Sequence, residues 1–507
     1  MTAALLLCLP LHADASVVED SLVLCIQSTK TQMIDPLDPV ERDFMSIYNI
    51  MYDGLMSIND DYLPQMNLVE DYSHSPNGKT WTFKLKKDLK FSNGSDLTAD
   101  DVVATTNYIL DQAKNNSGYY LNLKYFISSV SAEGDYTVVF KAERAYFGLL
   151  YALTYPILPE EDLGKNNPAG TGAYICEAFQ PGHALRLVPN QYWEEGVPQV
   201  RTIHVNMRDT AANVLSAYEY SSADAIFTRS IASAQYKGGS SSLALDYRTN
   251  QLECLLMNHS AFPLNLKSVR EAIRYIIDVD KIARNYYNGM VERTDTPFIS
   301  GTWMYDDSLS TYFRTDPIRA LSVLEADGWL DVDEDGVLER LNDEGEYVEL
   351  EMNLFVYEEP DDNVRLETAN YIRDTLNSCG FKVTVQTMKF TAVQQALSVG
   401  NFHLCLASYA MDVCPDAGFL LMSSNTGNYC RYRSTEMTDL CKELRKQMNQ
   451  SDYQRVLFQI QRQFAEDCPF ICFFYRSGTV LTRRMYTTVR DVREYELLKG
   501  IDAFRSN

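Results

Sequence analysis

The chain has 507 residues, 46% hydrophobic and 22% charged, a globular composition long enough for two or three domains rather than one core. Its formal net charge of −24 argues against a nucleic-acid partner, because phosphate binding needs a basic face. No stretch approaches the roughly 18 consecutive apolar residues of a membrane span, and 33 Tyr against 6 His favour amphipathic aromatics over metal ligands.

The chain begins "MTAALLLCLPLHADAS". Ala3 to Leu11 form a short apolar core, and Ala13-Asp14-Ala15 fits the small-x-small pattern of a signal-peptidase site. The basic region that usually precedes such a core is missing, so residues 1–15 read as a truncated export signal. That implies a protein exported to the periplasm or the extracellular face of the membrane. Cys8 is a candidate for lipid attachment, although Leu7 occupies the place where such sites want Gly or Ala.

From Ser21 the sequence alternates apolar runs with helical stretches. "SLVLCIQ" and "TWTFKLKKDLKF" predict strands, the second with Trp81, Phe83 and Leu85 on one face. "ERDFMSIYNIMYDGLMS" has helical spacing and stops at Gly54. "LTADDVVATTNYILDQA" predicts an amphipathic helix in which Thr98 is the cap and Asp101 completes a capping-box pattern. Asp100 and Asp101 therefore have a structural role rather than a catalytic one. "NNPAGTGAYICEAFQPGHALRLVPNQYW" reads as turn, strand, turn, strand, and "AANVLSAYEYSSADAIF" as a helix running into a strand. After "LECLLMNHS" come long helices ("LKSVREAIRYIIDVDKIARNYY", "PIRALSVLEADGWL", "VRLETANYIRDTLNSCG") alternating with strands ("VELEMNLFVY", "FKVTVQTM", "FHLCLASY"). This is the pattern of an α/β sheet with crossover helices.

Few motifs carry chemistry. "DVDEDGVLERLN" matches the first half of a calcium loop in Asp331, Asp333, Asp335 and Gly336, with Glu339 ninth. The twelfth position is Asn342, which cannot supply the bidentate carboxylate, so a solvated acidic turn is expected and no metal. Of 11 cysteines, Cys468 and Cys472 in "DCPFICFF" are expected to face one side of a strand, as a disulfide or as two buried apolar residues. No HExxH, GxSxG, GxGxxG or phosphate loop occurs. That leaves an enzyme reading, such as a secreted hydrolase with an unrecognised acid pair, weak. No cofactor is implied.

One carboxylate stands out. In "ASYAMDVCPDAGFL" a strand ending at Tyr409 places Asp412 three residues past its end, between Met411 and Val413. It is either a ligand group at a strand's carboxyl end or a cap for the next helix, the role expected of Asp416.

Five ordered segments resemble the family 5 extracellular solute-binding proteins of peptide ABC transporters, the oligopeptide- and dipeptide-binding group. They are "IYNIMYDGLMSINDDYLPQMNLVEDY", "NGKTWTFKLKKDLKFSNGSDLTADDVVATTNYI", "GTGAYICEAFQPGHALRLVPNQYW", "MNHSAFPLNLKSVREAIRYIIDVDKI" and "DGWLDVDEDGVLER". His403 stands where the family usually has Asp and Tyr409 where it has Trp, which affects ligand preference rather than fold.

The resemblance implies an α/β, two-lobed, periplasmic-binding-protein-like (type II) clamshell with an extra inserted subdomain. Lobe 1 would comprise residues 16–57, 169–253 and 476–507, the insert 58–168, and lobe 2 residues 254–475. It also implies that Asp412 binds a peptide's α-ammonium, with Tyr409, Met411, Val413 and Cys414 in the cleft wall. A buried carboxylate is costly alone, and a cation arriving with the ligand would neutralise it. The expected partners are a peptide and the permease subunits of an ABC importer, with the protein itself a monomer. The same fold binding nickel, haem, a sugar or a signalling peptide is the alternative.

Overall fold

The structure, a computed structural model, describes residues 21–237, 242–310, 312–359, 363–483 and 492–501. The expected export signal at residues 1–15, with Cys8, lies outside them. Among the described residues no helix is long and apolar enough to cross a membrane.

A mixed 11-stranded sheet runs through the molecule. At one end Lys382–Met388, Glu351–Tyr357 and Leu404–Ala410 lie side by side. At the other are Ala225–Thr228, Ser21–Gln27, Thr202–Arg208, Ala184–Pro189 and Tyr174–Gln180. Two long strands, Leu243–Met257 and Phe470–Thr482, join the ends. Leu243 to Arg248 pair with Thr482 to Ser477, and Leu252 to Leu256 pair with Tyr475 to Phe470. Between these ladders the register shifts, and residues 249–251 have no ladder partner on the other long strand. Around the Leu404–Ala410 end, Leu255, Met257, Leu354, Leu404 and Phe473 build one apolar core with the helices Lys267–Ile276, Pro317–Ala326 and Val364–Asn377.

A four-stranded antiparallel sheet stands apart, in the order Val69–His74, Thr80–Leu85, Thr137–Ala142, Ile127–Ala132. Trp81, Phe83 and Leu85 are buried, as their alternation predicts. Helix Ala99–Lys114 packs against this sheet. Its capping box is formed: the Thr98 N–H and hydroxyl donate to Asp101 Oδ2 at 2.9 Å each. The "GTG" turn then returns the chain to the large sheet. Gly172 N–H and Tyr174 N–H donate to Met51 O and Ile50 O, each at 3.0 Å. Backbone lies directly on backbone here, so there is no room for a side chain: a Cβ on Gly170 would stand 2.2 Å from Met51 O.

Three expectations need correction. The long helix predicted over "LKSVREAIRYIIDVDKIARNYY" is two, Lys267–Ile276 and Val279–Asn285. Asp278 breaks it by accepting from Lys281 N–H at 2.8 Å, a cap in the middle of an apolar periodicity. Cys468 is not on the strand: it ends helix Gln450–Asp467 in the left-handed region, φ 48°. It therefore packs in a different core from Cys472, and both are free buried thiols. Finally, "VELEMNLFVY" is interrupted, with Tyr347–Glu349 in a hairpin with Glu339–Leu341 and Glu351–Tyr357 in the large sheet.

Gly170→Ala should overpack the contact with Met51 and lower stability by the upper part of about 1–3 kcal/mol or more, read as a shifted urea midpoint. An unchanged midpoint would show that the "GTG" segment can move away from residues 50–52.

Candidate functional site

Strand Leu404–Ala410 ends one residue later than predicted, so Asp412 is two residues beyond it. The Met411 N–H still donates to Asn250 O at 2.8 Å, which ties this loop to the irregular segment of the long strand. Asp412 is solvent-exposed, yet the protein around it still costs its carboxylate hydration. It accepts from Cys414 N–H at 3.1 Å, within its own loop. Loss of hydration pushes its carboxyl above the usual carboxylate range, and the charge of Asp416 adds to this. No Lys or Arg among the described residues pairs with it.

Tyrosines lie within reach of its charge. The charge of Asp412 reaches the phenols of Tyr119 and Tyr151, both raised first by burial. Nearby, the Arg248 guanidinium lies 4.7 Å from the ring of Tyr62 and 5.9 Å from that of Tyr475, and donates to Glu292 Oε1 at 2.7 Å. Tyr62 O accepts from Trp303 Nε1 at 3.4 Å, so the turn before Pro64–Met66 meets the loop carrying Trp303.

The other predicted wall residues divide. Met411, Val413 and Cys414 are half-buried beside Asp412. Tyr409 is half-buried too, but its hydroxyl donates to Gly427 O at 2.9 Å and its ring stacks on Tyr429, so it braces the strand end. Asp416 is not the helix cap expected of it, since Ala417 holds the N-cap position of Gly418–Leu421. It accepts from Gly418 N–H at 2.9 Å, from Arg445 Nε at 2.6 Å and Nη2 at 3.0 Å, and from Tyr146 OH at 2.9 Å. Tyr146 follows strand Thr137–Ala142, so this cluster clamps the segment after the separate sheet onto the Asp412 loop. Sequence reasoning missed Tyr62, Tyr119, Tyr146, Tyr151, Arg248 and Trp303. The only local signal was the tyrosine density of "SGYYLNLKYF".

The acidic turn brings Asp331, Asp333 and Asp335 together with Glu339, one oxygen of each within 4.8 Å of the others. By geometry that spacing suits a hard divalent cation. Each carboxylate is also committed to the turn's own N–H groups: Gly336 to Asp331, Asp335 to Asp333, Val337 to Asp335 and Val332 to Glu339. Asn342 serves the next hairpin, accepting from Glu344 and Glu346 N–H. The turn lies apart from the Asp412 loop in the chain and shares no contact with it.

Two α/β halves joined by two long strands, with an accessible carboxylate just beyond a strand's carboxyl end, form the two-lobed clamshell of periplasmic-type binding proteins, and comparison with known proteins agrees. The description "Bacterial extracellular solute-binding proteins, family 5 Middle" matches residues 64–429, and the chain belongs to this family of non-catalytic binding proteins. The oligopeptide-binding protein AppA of Bacillus subtilis is 24% identical over 458 residues, 85% of this chain and 81% of that protein. The solved structure of that AppA with a nonapeptide aligns at a TM-score of 0.71 with 20% identity, over 96% of this chain and 99% of the other. NikA from Brucella suis in complex with Fe(III)-EDTA aligns at 0.81 with 18% identity, over 96% and 100%.

The two neighbouring aspartates should separate in their effects. Asp416→Ala leaves Arg445 and Tyr146 without their partner and should lower unfolding free energy by about 2–3 kcal/mol. Asp412→Ala, at an accessible carboxylate, should stay within about 0.5 kcal/mol of the parent. Equilibrium denaturation of both variants without ligand checks this.

Proposed function

We propose that this protein captures peptides between its lobes and hands them to the permease subunits of an ABC importer, working as an exported monomer at the periplasmic or extracellular face of the membrane. The observation that carries this reading is Asp412: an accessible carboxylate just beyond a strand's carboxyl end, raised by desolvation, with no cation paired to it among the described residues. A peptide's α-ammonium would supply the missing charge in a poorly screened, charge-assisted bond. The loop from Met411 to Cys414 would flank the peptide's first residue. The relative crystallised with a nonapeptide supports the ligand class. We place lobe 1 at residues 16–57, 169–253 and 476–507, the insert at 58–168 and lobe 2 at 254–475. The bend between the lobes lies where residues 249–251 leave the ladder opposite Tyr475 to Ser477.

The similarity to a protein holding Fe(III)-EDTA supports a second reading, a metal chelate. A chelate of that kind is anionic and would face Asp412 with like charge, which favours the peptide.

Titration calorimetry on wild type and Asp412→Ala, each with free and N-acetylated peptide, tests the pairing. Deleting either partner should weaken binding by about 2–5 kcal/mol, and deleting both should cost little more than one. Acetylated peptide binding wild type as tightly as free peptide would remove Asp412 as the ammonium site.

The sign of the pH dependence follows from the raised carboxyl. The ammonium needs the ionised form, and a raised pKa means protonation begins at a higher pH than for a free carboxylate. Affinity should therefore fall as pH is lowered from neutral, with proton release on binding at mildly acidic pH, and Asp412→Asn should flatten the profile. The same ligand-bound wild type should also show a smaller radius of gyration than the free protein in small-angle scattering.

A further inference from the structure

A crevice of about 70 Å³ lies between the segment that follows strand Ser21–Gln27 and helix Ala99–Lys114. Asp35 and Asp38 line one side, Tyr108 and Gln112 of the helix the other, and Tyr119 and Tyr120 the end. Its volume holds several waters, or the charged head group that would displace them.

The two carboxylates set the chemistry. Asp35 is half-buried and accepts from Leu37 N–H at 3.0 Å. Asp38 is exposed. Burial raises the Asp35 carboxyl, and the charge of Asp38 raises it further. Neither pairs with a Lys or Arg among the described residues, whereas the more deeply buried Asp43 a few residues on is paired with Arg229 at 2.5 Å. Two neighbouring carboxylates without a cation, in a cavity with tyrosine rings, are the groups that recognise ammonium and guanidinium ions. The crevice is linked to the Asp412 loop by a chain of bonds: Tyr119 bonds Tyr495, the adjacent Glu494 accepts from Asn250 N–H, and Asn250 O accepts from Met411 N–H. Tyr119 lines the crevice, and the same phenol feels the charge of Asp412.

We propose that this crevice is a second subsite of the cleft, which takes the cationic head of a basic side chain on the bound solute through Asp35 and Asp38. For its carrier the subsite rests on the peptide reading; for its own chemistry it rests on the crevice alone. An extended residue spans about 3.3–3.6 Å, so a basic side chain among the first few residues of a chain anchored at Asp412 is the natural occupant.

The test uses calorimetry with three pairs of free tripeptides that place arginine or its neutral isostere citrulline first, second or third among alanines. At one position arginine should bind about tenfold or more tighter than citrulline. The Asp35→Asn/Asp38→Asn double variant should lose that advantage while binding the citrulline peptide as wild type does, since an asparagine amide oxygen can still accept from Leu37 N–H. A preference for arginine that survives the double variant, or no preference at any position, overturns the subsite while leaving the peptide reading intact. If no tripeptide binds, the peptide reading falls and the crevice is decided by a second probe. In ligand-observed NMR, n-butylguanidinium added to Asp412→Asn should show saturation transfer that the further Asp35→Asn/Asp38→Asn changes abolish. Saturation transfer that persists in that triple variant, or none in Asp412→Asn, overturns the subsite independently of any peptide.

Discussion

The molecule depends on two strands that are each too long for one lobe. Leu243–Met257 has 15 residues and Phe470–Thr482 has 13, and at about 3.3 Å per residue such strands cross from one half to the other. Apart from a register shift at Glu253 and Cys254, their ladder is interrupted only at residues 249–251. That irregular step sits between two buried carboxylates. On one side Glu494 accepts from Asn250 N–H at 2.5 Å and from Arg229 Nη2 at 2.9 Å. On the other, fully buried Glu253 meets Arg365 at 2.7 Å, with Arg476 at 3.9 Å. Neither pair is strong evidence for stability, because desolvation offsets much of the attraction, but losing one partner would strand a buried charge. Side chains and loops take over from the ladder at the step itself: Glu494 and the Met411 N–H hold Asn250, and Thr249 Oγ1 donates to Arg476 O at 2.8 Å. Asp412 is coupled to this step by two bonds in series: Met411 N–H to Asn250 O, and Asn250 N–H to Glu494.

Charge pairing separates structure from function here. Asp43, Glu253, Asp416 and Glu494 are buried or nearly so, and each has an arginine. Asp35 and Asp38 line a crevice, Asp412 is exposed, and none of the three has an arginine or lysine partner among the described residues. Each paired carboxylate has its desolvation offset within the fold. The unpaired ones do not, which is the physical basis of the proposed cation binding there.

Much of the fold was legible because it is local. Strand Ser21–Gln27, the buried face of Trp81, Phe83 and Leu85, and the Thr98–Asp101 box follow from period and capping chemistry within a few residues. The break at Asp278 was missed because apolar periodicity continues through it, and Cys468 because a left-handed cap looks like a strand start in "DCPFICFF". Asp412 could be singled out because it follows a strand and has apolar neighbours. The tyrosines near it could not. Tyr119 and Asp412 are 293 positions apart by numbering, Tyr146 and Asp416 are 270 apart, and no spacing rule connects them.

Tyrosine sets the character of the groups near Asp412. Tyr62, Tyr119 and Tyr151 all have phenols raised by burial, so they stay neutral donors across the physiological range. They are themselves engaged: Tyr62 carries the Arg248 and Arg493 guanidinium groups on its ring, and Tyr151 OH donates to Tyr62 O at 2.8 Å. The tyrosines add contact area without adding charge, and the Arg248 charge among them is paired with Glu292 at 2.7 Å. On the proposed reading, discrimination falls to the few carboxylates that have no cation of their own. A lysine or arginine wall would have neutralised Asp412 within the protein itself, and the cleft would have no free energy left to offer an incoming ammonium.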